Sequence, residues 1–147
     1  MWPWLLLGLV AFFMVGSKAL AYNKGKPVEI DLAPIGGGFY LRADAARAFV
    51  AMRNAASNDG IALIVTSAFR SMSEQQSLFD KYQSGSGNLA AKPGYSNHQS
   101  GVAVDSQVGS SFSSPAYLWL SRNASRFRFV NTGAAFSQRE PWHLEYV

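Results

Sequence analysis

Apolar and polar positions along the chain fall into three patterns, and each predicts a different kind of element. From Asp44 to about Asn58, "DAARAFVAMRNAASN", the residues Ala45, Phe49, Met52 and Ala56 recur at helical spacing, and Gly60 is placed to end the helix. "IALIVTSAF", Ile61 to Phe69, is β-branched, apolar and too short for a helix, so it predicts a buried strand with Arg70 at its exit. Ser71 and Glu74 have the S-x-x-E spacing of a capping box; a helix carrying Leu78, Phe79 and Tyr82 should follow, with Gln75 in its first turn. The Gly/Ser-rich stretch from Gln83 to Gly94 predicts a loop, and "GVAVDS" a short strand. Ser114-Pro115 supplies an N-cap and a first-turn proline for a helix through Leu118, Leu120 and Ala124. Two more strands are expected in "RFRFVN", where Phe127 and Phe129 alternate with Arg, and in "WHLEYV". Helices and strands do not alternate as simple βαβ units, so the fold class is α+β, with a small, mainly antiparallel sheet and flanking helices.

The third pattern is the N-terminus, "MWPWLLLGLVAFFMVG", which has no charged side chain. A hydrophobic helix over residues 1–21 is expected, as a signal peptide or as a membrane anchor. Ala19 to Ala21 reads as a signal-peptidase site ahead of Tyr22. Against cleavage, no cationic side chain precedes the apolar run, and Lys18, Lys24 and Lys26 follow it. Trp2 to Tyr22 would span a bilayer if Lys18 reached back to the headgroups, and Trp2 and Trp4 suit an interfacial belt. From Tyr22 to Gly38 the composition turns to Lys, Gly and Pro, which reads as a linker or extended arm; the remaining residues, 39–147, form one domain.

Composition narrows the chemistry. With no cysteine, a disulfide framework and a cysteine zinc finger are excluded, and any metal must be held by His, Asp or Glu. The formal charge of +4 comes from scattered residues rather than a basic run, so no nucleic-acid partner is expected. No helix carries a long heptad seam, and a monomer is expected.

Only two histidines occur, each close to a carboxylate. His98 and Asp105 flank Gly101, which lets the chain turn tightly, so both side chains can enter one cleft. Glu140 and His143 form E-x-x-H, with Pro141 stiffening the approach and Trp142 placed to wall the site. His98, Asp105 and His143 make a sensible three-ligand set for Zn²⁺ with a fourth position open to water, and Glu140 is then free to act as a base.

Ser96, His98, Gly101, Ala103 and Asp105, as S-x-H-x-x-G-x-A-x-D, together with Glu140, Trp142 and His143, as E-x-W-H, resemble the zinc D-alanyl-D-alanine carboxypeptidases of the VanY type. The block "SAFRSMSEQQSLF" is similar to that family's S-x-Y-R-S-x-x-x-Q-x-x-L, with Phe69 in place of Tyr. The resemblance covers roughly Tyr40 to Val147. It implies a hedgehog/DD-peptidase-like fold, zinc on His98, Asp105 and His143, Glu140 as general base and acid, and Arg70 binding substrate and stabilising the oxyanion. Gln75, Ser96 and Trp142 fall at substrate-cleft positions. Arg128 departs from the family, which more often has Gly between the two aromatics, and this bears on the shape of the cleft.

The function expected from these residues is zinc-dependent hydrolysis of a peptidoglycan stem peptide outside the cytoplasm, as a D,D- or L,D-carboxypeptidase. The alternatives are a phage-type lytic endopeptidase, free or virion-associated, that cuts L-Ala–D-Glu bonds, and an inert zinc-containing wall-binding module.

Overall fold

The stretch expected to be a free arm is extended, but it is paired. The computed structural model describes residues 16–147; up to residue 15, the apolar run expected as a hydrophobic helix lies outside the described residues. Strand β1, Ser17–Asn23, turns through Lys24 and Gly25, both at positive φ, into β2, Lys26–Gly36. Two successive residues at positive φ match the right-handed twist of a tight hairpin. Strand β3, Phe39–Arg42, pairs with the far end of β2 to complete a three-stranded antiparallel sheet. Alternation buries Ala21, Ile30 and Leu32 on one face, with Ala19 and Phe69 packed against them. This apolar face is what the Lys- and Gly-rich composition conceals, and it makes residues 22–38 part of the folded body rather than a tether.

Helix α1, Ala43–Asn58, follows directly and buries the predicted stripe Ala45, Phe49, Met52 and Ala56. Its chain ends at Asp59, and Gly60 then takes φ +77, which a glycine adopts without strain. Helix α2, Met72–Gln83, opens with the expected capping box: Glu74 N donates to Ser71 Oγ at 3.2 Å and Ser71 N donates to Glu74 Oε2 at 2.7 Å. Helix α3, Pro115–Asn123, is capped by Ser114, and Trp119 Nε1 donates to Asp59 Oδ2 at 2.8 Å, fastening α3 to the end of α1. Among the described residues no helix is long and apolar enough to cross a membrane.

The second sheet holds the chemistry. Strands β4 (Val65–Ser67), β5 (Ala103–Ser106), β6 (Phe129–Val130) and β7 (His143–Tyr146) lie in the order β4-β5-β7-β6, all antiparallel. The core lies between this sheet and α1, where Phe49 meets Phe129 edge-on and Leu41, Val104, Leu120 and Leu144 close around them. The architecture is therefore α+β and antiparallel, with two small sheets where one was expected.

Two predicted strands are shorter than their patterns. In Ile61 to Phe69 only Val65–Ser67 pairs, across a register shift, and Ile64 is exposed while Leu63 is buried. In "RFRFVN" Phe127 belongs to a 3-10 turn, Ala124–Phe127, and Arg128 at φ +62 breaks the extended run before Phe129. An L-residue pays about 1 kcal/mol for that left-handed conformation, which explains why glycine suits the position. The Arg128 side chain turns onto Tyr146, 4.8 Å from the ring, with Nη1 donating to the phenol oxygen at 3.2 Å, and does not line the cleft that holds His98 and His143.

Candidate metal centre

His98 sits in a 3-10 turn, Asn97–Ser100, that is anchored from both sides. Its Nδ1 lies 2.9 Å from the carbonyl of Ala68, next to β4, and Arg70 N donates to the His98 carbonyl at 3.1 Å. Behind the turn, Gly101 at φ +81 accepts from Arg42 N at 2.8 Å, and a Cβ there would lie 2.6 Å from Ile30 Cδ1. Gly25 N, at the tip of the β1–β2 hairpin, donates to Gly94 O at 2.9 Å. The first sheet thus buttresses the loop that carries His98.

Asp105 on β5 stands opposite His143 on β7, as the strand register dictates. Its Oδ1 is 2.8 Å from His143 Nδ1 and its Oδ2 is 3.4 Å from His98 Nε2. The three candidate ligand atoms lie within 4.8 Å of one another, and the two imidazoles meet edge-on at 5.1 Å. Each ring presents one nitrogen to Asp105 and has the other occupied, His98 by a backbone carbonyl and His143 by Glu145. Two neutral imidazole nitrogens and one carboxylate oxygen with held outer nitrogens fit a tetrahedral Zn²⁺ with one position open.

The carboxylates tune the metal-free site. Burial opposes charge on His143, but hydrogen bonds to Asp105 and Glu145 outweigh it and raise the pKa to about 9 from an ordinary 6.5. Burial likewise opposes charge on Asp105, and hydrogen bonds from His143 and His98 outweigh it, lowering the pKa to about 2 from 3.8. With its folded pKa above the unfolded value, His143 stabilises the metal-free protein fully below about pH 6.5, and that contribution disappears as pH rises through about 9. With its folded pKa depressed, Asp105 contributes above about pH 3.8 and its contribution is lost as pH falls through about 2. Thermal melts of EDTA-treated protein are therefore expected to show a decline in Tm between about pH 6.5 and 9 that saturating zinc suppresses, because bound metal requires the neutral imidazole. A flat metal-free profile across that range would mean the His143–Asp105 pair is not formed.

Arg70, Ser96, His98, Asp105, Glu140 and His143 line one cleft of about 570 Å³. Glu140 Oε2 is 3.9 Å from His143 Nδ1, and its side chain keeps 34% exposure, so it reaches both the metal position and solvent. Arg70 is oriented by Ser67 Oγ, 3.1 Å from Nη2, and by Gln75 Oε1, 2.8 Å from Nη1; Ser96 Oγ lies 3.5 Å away.

Two residues expected at the substrate cleft, Gln75 and Trp142, do not line it. Gln75 is fully buried, and with Nε2 donating to Ala91 O at 2.7 Å it joins Arg70 to the cleft loop, leaving no surface for substrate. Trp142, in the turn before β7, is partly buried against the hydrophobic core and is not among the residues that line the cleft. The aromatic wall is Phe136, whose ring lies 5.1 Å from that of His143.

Asn131 and Gly133, which no sequence motif singles out, hold E-x-x-H in place. Asn131 Nδ2 donates to Glu140 O at 3.1 Å and to His143 O at 2.6 Å, and Glu140 N donates to Gly133 O at 2.9 Å. A Cβ on Gly133 would collide with the Glu140 carbonyl and come within 2.7 Å of His143 Cβ. Gly133→Ala is expected to cost about 1–3 kcal/mol in denaturant unfolding and to depress activity more than stability, since the displaced groups are Glu140 and His143. Unchanged kcat in that variant would contradict the close fit. Glu145 had a signal available: two residues after His143 in a strand, it must share that face.

A His/Asp/His cluster beside a free carboxylate and a cleft arginine has the donor set of a mononuclear metal site, a class of site that metallohydrolases use. Comparison with known proteins makes the class specific: residues 38–147 match the family model of VanY, D-alanyl-D-alanine carboxypeptidase, and the chain belongs to that family. A D-alanyl-D-alanine carboxypeptidase of Enterococcus faecium is 34% identical over 119 residues, covering 74% of this chain and 38% of the relative. The chain spans half or less of the length of the curated carboxypeptidases it matches. Among solved structures, an LD-carboxypeptidase, LdcB, superposes with a TM-score of 0.70 at 28% identity, covering 86% of this chain and 75% of the other. A vancomycin-resistance D,D-pentapeptidase VanY variant in complex with Zn(II) gives 0.66 at 26% identity, covering 86% of each chain.

Proposed function

We propose that the chain is a zinc-dependent carboxypeptidase that removes the terminal D-alanine from peptidoglycan stem peptides. The observation that carries this reading is the convergence of His98, Asp105 and His143 within 4.8 Å in a cleft that also holds Glu140 and Arg70. His98, Asp105 and His143 would hold Zn²⁺, which when bound would supply Lewis-acid polarisation of the scissile carbonyl and activation of water. Glu140 accepts a proton from the attacking water, whose oxygen bonds to the carbonyl carbon, and delivers that proton to the departing amine as the amide C–N bond breaks. Arg70, held flat by Ser67 and Gln75, places a fixed guanidinium fork toward the negative charge that develops on the carbonyl oxygen. Ser96, on the cleft wall beside Arg70, orients the terminal residue.

The substrate lies outside the cytoplasm, and we place the enzyme there on a retained N-terminal anchor. In support, cleavage before Tyr22 would delete Ser17 to Ala21 from β1, including the fully buried Ala21. N-terminal sequencing of the protein recovered from membranes tests this: a start upstream of Ser17 is expected, and a start at Tyr22 would refute it.

The function is tested by incubating the zinc-loaded full chain with purified muropeptides and reading products by mass spectrometry, with an EDTA-treated control. Loss of one terminal D-Ala, abolished by chelation, is the expected result. Cleavage inside the stem would assign the chain to the lytic endopeptidases, and intact substrate with zinc bound would assign it to the inert wall-binding modules.

A further inference from the structure

Outside the cluster of metal ligands, one side-chain oxygen collects an unusual number of donors. Glu145 Oε1 accepts from Asn97 Nδ2 at 2.6 Å and from Thr132 Oγ1 at 2.9 Å, and it lies 3.1 Å from His143 Nε2. These three donors come from three separate segments. Asn97 precedes His98 in its 3-10 turn, Thr132 opens the turn that contains Gly133, and His143 lies two residues earlier on β7. The side chain of His143 is only 3% exposed, so water is a poor substitute for this partner.

We propose that Glu145 is the positioning residue of the metal centre. By accepting from His143 Nε2 it keeps the proton on that nitrogen and leaves Nδ1, 2.8 Å from Asp105 Oδ1, as the nitrogen that faces the metal position, and by accepting from Asn97 it ties the His98 turn to the His143 strand. This rests on the zinc reading above and adds a specific element to it, a carboxylate–histidine–metal arrangement. The consequences are physical. A carboxylate behind the ring makes Nδ1 a stronger donor to the metal, and a ring fixed before the metal arrives loses less freedom when it binds. The same acceptor joins the two histidine-bearing segments, so both ligands are registered to one point. Asp105 needs no such help, because the β5–β7 register already sets it opposite His143.

The test is metal affinity and ligand field rather than turnover. The full-length chain, Glu145→Ala and Glu145→Gln are stripped of metal and titrated with Zn²⁺ against a chromophoric chelator. Each is then loaded with Co²⁺ for its visible spectrum, and the metal-free Tm of each is recorded alongside. Glu145→Ala is expected to weaken zinc binding by about 10–100-fold and to shift the cobalt bands. Glu145→Gln keeps an oxygen acceptor but loses the charge, so it is expected to recover part of that loss while remaining at least about 3-fold weaker than wild type. A Glu145→Ala protein with wild-type zinc affinity and an unchanged cobalt spectrum would overturn the proposal. Should Glu145→Ala not fold, Glu145→Gln decides, and wild-type affinity in that variant overturns it equally. If the wild-type chain itself takes up no zinc, the metal reading falls and this inference with it; normal zinc uptake by wild type combined with no effect at Glu145 removes only the inference.

Discussion

Glu140→Ala is expected to lower kcat by about 10²–10⁴-fold while the protein still binds one zinc ion. The separation of the two effects follows from geometry. Glu140 is not one of the three atoms that converge for a metal; its carboxylate stands 3.9 Å from His143 Nδ1 and a third of its side chain is open to the cleft. A group so placed can move a proton without holding the ion. Its backbone is fixed independently of its side chain, through Glu140 N to Gly133 O and Asn131 Nδ2 to Glu140 O, so truncation at Cβ leaves His143 in position. Zinc content by elemental analysis and single-turnover rates on one muropeptide measure the two quantities separately. Retained turnover would mean that another group carries the proton, and lost zinc would mean that Glu140 is a ligand.

His98→Ala has the opposite signature: zinc and activity should vanish together. Removing this ring leaves Asp105 and His143, two donors for an ion that takes three from the protein in open catalytic sites. It also leaves the Ala68 carbonyl, 2.9 Å from His98 Nδ1, without its partner. Dialysis followed by elemental analysis is expected to show zinc falling from about one per chain to near zero, with no activity recovered by millimolar zinc. A stoichiometry equal to wild type would sink the ligand set. Circular dichroism distinguishes loss of the site from loss of the fold, and the core supports the latter expectation poorly, since Phe49, Phe129 and Leu144 pack without His98.

The difference between these variants shows where sequence was sufficient. Polar residues at a fixed spacing, S-x-H-x-x-G-x-A-x-D and E-x-W-H, are legible because chemistry restricts the residue types, and His98, Asp105, His143 and Glu140 line one cleft. The face of α1 and the capping box of α2 were equally legible, because each depends on contacts within about one or two turns of helix. The paired hairpin β1–β2 was hidden by its Lys, Gly and Pro content, since strand formation there depends on an apolar face buried against the first sheet's own core and Phe69. Gln75 and Trp142 illustrate a further limit. Motif position placed them at the cleft, whereas packing makes Gln75 a buried strut behind Arg70 and lays the half-buried Trp142 against the core.

The candidate donor set, the order of α1 to α3 and the antiparallel α+β class are readable along the chain, because these depend on residue type and short-range periodicity. Three features emerge only once the chain is folded: the carboxylate of Glu145 behind His143, the hold of Asn131 and Gly133 on Glu140, and the support that the first sheet gives the His98 loop. Those contacts join residues far apart in the chain, such as Asn97 with Glu145 and Gly25 with Gly94, and their existence depends on strand register and on the absence of a Cβ rather than on any local pattern.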